Sequence, residues 1–101
     1  MSNLLVVDDE QTICWGMKRL GEGIGCDVTT VSSAEEAIES LEECAPDVIV
    51  LDVRLPGMDG LAAIDKIRRR SCQAPVVVIT AYGDLQTAVQ AVRNGAFDYL
   101  T

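Results

Sequence analysis

The chain has no histidine. Its four cysteines, Cys14, Cys26, Cys44 and Cys72, are scattered without a Cys-x-x-Cys pair. Zinc centres built on Cys/His spacing are therefore excluded, and the cysteines read as small buried hydrophobes in a reducing cytosol. Cations are scarce: eight Lys and Arg against sixteen acids leave a formal charge of −8. Binding to nucleic acid draws largely on Lys and Arg neutralising phosphates, so unaided binding to it is disfavoured, as is binding to anionic membranes. No apolar run approaches the roughly 20 residues of a membrane helix, and a signal-peptide pattern is missing. The expected location is cytoplasmic. Aromatic residues are only 4%, yet 49% of the chain is apolar, a globular profile with room for one domain over 1–101.

The acids are not spread evenly. Val48-Ile-Val-Leu51 is a short apolar run that ends in Asp52 and is followed by a loop carrying Pro56, Gly57 and Gly60. Such a run reads as a strand buried on both faces, the pattern of a parallel sheet covered by helices. Asn3-Leu-Leu-Val-Val7 repeats the arrangement and ends in Asp8-Asp9-Glu10, and Val76-Val-Val-Ile79 ends in Thr80. Parallel strands bring their carboxyl ends together, which is where open α/β sheets place their chemistry. The expected product is an acidic pocket of Asp8, Asp9 and Asp52 with one hydroxyl, Thr80, on its rim.

Between these runs the apolar spacing turns helical. Ile13, Met17, Leu20 and Ile24 recur at helical intervals, with Gly25 placed to end that helix. Cys26–Val31 reads as a less apolar strand at the sheet edge. Ser33-Ala-Glu-Glu36 is a capping-box pattern opening a helix with Ala34, Ala37, Ile38 and Leu41 on one face. Glu35, Glu39, Glu42 and Glu43 form its solvated side. Leu61, Ile64 and Ile67 mark a third helix, ending in Arg68-Arg-Arg70, cations suited to a helix C-terminus rather than a nucleic-acid patch. Asp84 is placed to cap a fourth helix, with Leu85, Ala88, Val89 and Val92 on its apolar stripe and Gly95 at its end. Phe97–Thr101 reads as a fifth strand. The order is β-α-β-α-β-α-β-α-β.

Three bare carboxylates about 5 Å apart repel by about 3 kcal/mol per pair at an effective dielectric near 20. Such a cluster either holds protons or binds a hard cation, and an all-oxygen donor set points to Mg²⁺. A carboxylate beside Mg²⁺ can attack phosphorus and form an aspartyl phosphate. Taken singly, Asp9 or Glu10 could instead cap the first helix and Thr80 could be a turn residue. Convergence of all of them on adjacent strand ends speaks against that.

The stretches Val6-Val-Asp-Asp-Glu10, Leu51-Asp-Val-Arg-Leu-Pro-Gly-Met-Asp-Gly60, Val78-Ile-Thr-Ala81 and Gly95-Ala-Phe-Asp-Tyr-Leu100 together resemble the receiver domains of two-component response regulators. The resemblance implies a flavodoxin-like doubly wound sheet in the order 2-1-3-4-5. It implies Asp52 as phosphoacceptor. Mg²⁺ would be held by Asp9, Asp52 and the Arg54 backbone carbonyl, with Asp8 acting through water. Thr80 would be the switch hydroxyl and Tyr99 the switch aromatic, altering the surface of the fourth helix and fifth strand. The donor would be a sensor histidine kinase, and an output domain would normally follow on the same chain. Such a domain assists its own phosphotransfer and dephosphorylation without being an enzyme in the usual sense.

The family also carries a lysine after the fifth strand and a fifth helix beyond it. The sequence stops at Thr101, and Lys18 and Lys66 both fall on expected helices. The domain is thus expected to be incomplete at its C-terminus. Its uncovered apolar face would favour association, a homodimer at the simplest. Thr80–Val89 with Gly95–Leu100 resembles the receivers of nitrogen-regulation-type transcriptional activators. Two rivals remain: a Mg²⁺-dependent phosphohydrolase with an Asp nucleophile, and a receiver-like interaction module with inert acids. Phosphohydrolases of the haloacid dehalogenase type want an acid two residues after the nucleophile, where this chain has Arg54.

Overall fold

Runs of Val, Ile and Leu make the strands because branched side chains pack well on a pleated surface covered from both sides. In the computed structural model, which describes residues 2–43, 45–52, 60–70, 74–79 and 98–100, the strands are β1 (Asn3–Val7), β2 (Asp27–Val31), β3 (Val48–Asp52), β4 (Val76–Ile79) and β5 (Asp98–Leu100). Helices α1 (Gln11–Gly23), α2 (Ala34–Ser40) and α3 (Gly60–Arg69) alternate with the first four. All the pairings are parallel and the order is β2-β1-β3-β4-β5, as the resemblance implies. The expected helix over 84–95, Arg54 and Thr80 lie outside the described residues. β2 is the edge strand, with Asp27, Thr29 and Thr30 exposed.

One face of the sheet holds the main core. Leu5 and Val7 of β1, Ile49 and Leu51 of β3, and Val76 and Val78 of β4 pack against Ala34, Ala37 and Ile38 of α2 and Ala63, Ile64 and Ile67 of α3. The strand residues alternate because successive side chains point to opposite faces. Removing a large aliphatic side chain from water contributes about 1.5–3 kcal/mol, so these residues hold the strand ends in place. α2 starts as expected: Ser33 Oγ accepts the Glu36 N–H at 3.2 Å.

Two exposed ion pairs lie on α3 and between the residues that follow α3 and α2. Arg70 Nη1 lies 2.7 Å from Glu42 Oε1, and Arg69 Nε lies 3.1 Å from Asp65 Oδ2. Arg68 Nη1 donates to the Ala74 carbonyl at 2.8 Å. All three arginines thus have partners within the chain. Glu35, Glu39, Glu42 and Glu43 are all exposed, as read from the sequence, with Glu42 also paired to Arg70.

α1 lies on the opposite face. Its C-terminus is a Schellman motif: Gly25 N–H donates to Glu22 O and Cys26 N–H to Gly21 O. Gly25 has φ 87°, the left-handed conformation that favours glycine at this position. Of the apolar stripe, however, only Met17 is half-buried. Ile13, Leu20 and Ile24 are 37%, 71% and 81% exposed, while Gly21 is the buried residue of the helix. A methyl group at Gly21 would collide with Val28 Cγ2 and come within 3.6 Å of Leu4 Cδ2. Backbone packing at Gly21 turns the helix so that the stripe flanks the contact.

Gly21 and Gly16 therefore respond in opposite directions to alanine. A Cβ at Gly16 meets nothing within 4 Å, so Gly16→Ala should stabilise by about 0.5–1 kcal/mol through helix propensity. Gly21→Ala should destabilise by about 1–3 kcal/mol from overpacking, with partial recovery in the double variant with Val28→Ala. Urea denaturation of the four proteins provides the measurement.

Candidate metal centre at the strand ends

Strand register builds the site. Val7 of β1 pairs with Val31 on one side and Leu51 on the other. One residue on, the Asp8 N–H still donates to Val31 O at 3.1 Å, so Asp8 prolongs β1 and stands beside Asp52. Asp9 follows as the chain turns into α1. One carboxylate oxygen from each of Asp8, Asp9 and Asp52 lies within 4.8 Å of the others. These are the three acids expected from the sequence to converge.

Their environments differ. Asp8 is only 4% exposed, Asp52 is half-buried and Asp9 is exposed. Asp8 Oδ1 accepts the Glu10 N–H at 3.0 Å, and the Asp8 carbonyl accepts the Cys14 thiol at 3.3 Å. Burial pushes the Asp8 carboxyl from its ordinary 3.8 up to about 6. The Glu10 N–H opposes this rise, whereas the Asp52 charge, a hydrogen bond with Asp52 and the Asp9 charge add to it. Burial also raises the Cys14 thiol, helped by the Asp8 charge. Helix capping does not explain the acids: Glu10 stands at the N-cap of α1 without a side-chain capping bond.

The donors suit a hard divalent cation. Three carboxylates of like charge, one of them deeply buried, gain from a counter-charge that accepts oxygen ligands. A cleft of about 440 Å³ opens beside Asp8 and Asp9, walled by Cys14, Trp15, Lys18 and Ser32. The Arg19 guanidinium stacks 5.0 Å from the Trp15 ring centre.

The remaining expected site residues are placed less fully. Thr80 and Arg54 lie outside the described residues; Ile79, just before Thr80, is the register partner of Asp52. Tyr99 is a backbone position in β5, paired with Val78 of β4. Cys14 corrects the sequence reading. It is half-buried rather than a core hydrophobe, as is Cys26, and it touches the acid turn. Its signal was its place one turn into the helix that follows the acids.

The buried carboxyl sets a pH dependence. The folded value of about 6 exceeds the ordinary 3.8, so the native state holds this proton more tightly than the unfolded chain. The resulting stabilisation is complete below pH 3.8 and is lost as pH rises through 6. Metal-free protein should therefore gain about 1 kcal/mol between pH 7 and pH 5 from this group, and Asp8→Asn should flatten the trend. At pH 7 without metal, Asp9→Asn or Asp52→Asn should raise the melting temperature by relieving repulsion. Thermal unfolding in chelated buffer measures both effects.

The family model described as "Response regulator receiver domain" matches residues 4–101. The DNA-binding transcriptional regulator NtrC of Klebsiella pneumoniae is 44% identical over 95 residues, covering 94% of this chain and 20% of that protein. The transcriptional regulatory protein ZraR of Escherichia coli K12 is 38% identical over 98 residues, covering 97% of this chain and 22% of that protein. The chain thus spans about a fifth of the length of these curated relatives. Among solved structures, NtrX from Brucella abortus with ADP superposes with a TM-score of 0.92 at 36% identity, over 99% of this chain and 23% of that one. A response regulator receiver domain protein from Clostridium thermocellum gives 0.91 at 34% identity, over 99% and 81%. An acid cluster at the ends of a parallel sheet, in a sequence matching this family from residue 4 to residue 101, makes the chain a member of the response regulator receiver domains.

Proposed function

We propose that residues 1–101 act as a phosphoacceptor signalling domain that takes a phosphoryl group onto Asp52 with Mg²⁺. One observation carries this reading: carboxylate oxygens of Asp8, Asp9 and Asp52 within 4.8 Å of one another. Asp9, Asp52 and the Arg54 carbonyl would hold Mg²⁺ directly, with Asp8 holding it through water. Bound there, the ion offsets the acids' charge and that of the incoming phosphate.

The chemistry belongs to Asp52. Its carboxylate attacks the phosphorus of a phosphohistidine on a sensor kinase. An O–P bond forms, the P–N bond breaks, and the imidazole nitrogen leaves with its electron pair. Water attacking the same phosphorus later returns inorganic phosphate and the free carboxylate. Asp8, fixed by the Glu10 N–H, keeps the pocket acidic and oriented. Thr80, following the register partner of Asp52, would donate a hydrogen bond to the new phosphate, with Tyr99 responding as the second half of the switch. These roles are the ones the family resemblance implies, and the pairing of β1 with β3 and of β3 with β4 is what supports the placing of Asp8, Asp52 and Ile79 at one edge.

The output would be transcriptional, in keeping with relatives described as transcriptional regulators, through a module on a longer chain. A cytoplasmic setting accords with a charge of −8; no described helix is long and apolar enough to cross a membrane. A phosphohydrolase is the less favoured reading, since Arg54 stands two residues after the nucleophile.

Incubation with a small-molecule phosphodonor and Mg²⁺ should add one phosphoryl group per chain, measured by intact mass. Asp52→Asn should take up none. Uptake that persists in Asp52→Asn would overturn the assignment, and rapid release of many phosphates per chain would favour the hydrolase.

A further inference from the structure

We infer that Cys14 is a positioning residue for the metal centre, tying the turn that carries Asp8 and Asp9 to the first turn of α1. The inference rests on the proposed Mg²⁺ site and deepens it. Asp8 and Asp9 lie between the end of β1 and the start of α1, in a turn that the Glu10 N–H, donating to Asp8 Oδ1, holds from within. The Asp8 N–H is held by Val31 O on the neighbouring strand. The Asp8 carbonyl, at the other side of the same residue, accepts the Cys14 thiol at 3.3 Å. Cys14 is itself anchored, since its N–H donates to Glu10 O at 3.1 Å.

The two hydrogen bonds of Cys14 thus bracket Asp9. One reaches the residue before it and the other the residue after it. Asp9 is exposed, so packing does little to orient it, and its place in the cluster depends on the backbone at Asp8 and Glu10. A ligand held at its productive position binds a cation without first losing conformational freedom. Cys14 also lines the cleft beside Asp8 and Asp9.

A thiol is a weak donor, and the effect of deleting it should be correspondingly modest. Cys14→Ala should weaken Mg²⁺ binding about two- to fivefold, while the melting temperature in chelated buffer changes little. Cys14→Ser, which keeps a donor, should retain most of the affinity. Cys26→Ala, a half-buried thiol outside the cluster, serves as the control and should bind as the wild type does. Trp15, the one tryptophan of the chain, lines the same cleft, so its fluorescence can follow a titration with MgCl₂.

The outcomes separate. Wild-type protein that binds no Mg²⁺ overturns the metal-site reading and this inference with it. Wild-type binding with an unchanged constant in Cys14→Ala overturns the inference alone. So does a Cys14→Ala variant whose only change is a lower metal-free melting temperature, because that marks a purely structural residue. Equal weakening in Cys14→Ser and Cys14→Ala also overturns it, since the donor would then be irrelevant. Weakening in Cys14→Ala, recovered in Cys14→Ser and not reproduced by Cys26→Ala, supports it.

Discussion

Repulsion among Asp8, Asp9 and Asp52 is the constraint on which the rest of the structure turns. Parallel pairing of β1 with β3, with Val7 opposite Leu51, places two strand-end acids side by side, and the turn into α1 adds a third. Each close pair at such a distance costs on the order of 3 kcal/mol at an effective dielectric near 20. A fold of this size holds only about 5–15 kcal/mol of net stability. The cluster therefore persists only because the strands beneath it are held firmly. Leu5, Val7, Ile49 and Leu51 are almost wholly buried, and sliding either strand to relieve the acids would expose them. Apolar burial thus holds an electrostatically unfavourable site ready for a cation and a phosphoryl group.

The sheet's two faces serve this end differently. On one, α2 and α3 seal the core and are joined at their ends by Arg70 and Glu42. That pair is largely exposed and contributes little energy; its role is to keep two helix ends in register. On the other, α1 approaches closely at Gly21. The same helix starts directly after the acids, so its seating bears on the metal centre. The thiol of Cys14, one turn into α1, meets the carbonyl of Asp8 itself.

Much of the fold could be read from residue order. Apolar runs ending in acids marked the strands, Ser33 marked the start of α2, and Gly25 marked the end of α1. The convergence of Asp8, Asp9 and Asp52 followed from parallel strands sharing an end, and the strand order followed from the family resemblance. Three features were not legible. The recurrence of Ile13, Met17, Leu20 and Ile24 gave the helix but not its seating, because periodicity reports which residues share a side of a helix but not which side meets the sheet; Met17 is half-buried and the other three are exposed. Cys14 looked like a core hydrophobe, since its place one turn into α1 puts it near the acids without saying that its thiol meets the Asp8 carbonyl. Arg70 and Glu42 lie far apart in sequence, and charge patterning reports only near neighbours.

The amino-acid sequence by itself determined where strands end, which side chains stand at those ends, and how strongly acidic the result must be. These depend on local preference and on a period of two, both carried within a few residues. Only the tertiary structure decided that Asp8 is buried while Asp9 is exposed, that the Asp8 carboxyl holds its proton up to about 6, and that α1 meets the sheet at Gly21 with most of its apolar stripe exposed. Each depends on how closely separate segments approach, and that is set when all the side chains pack at once.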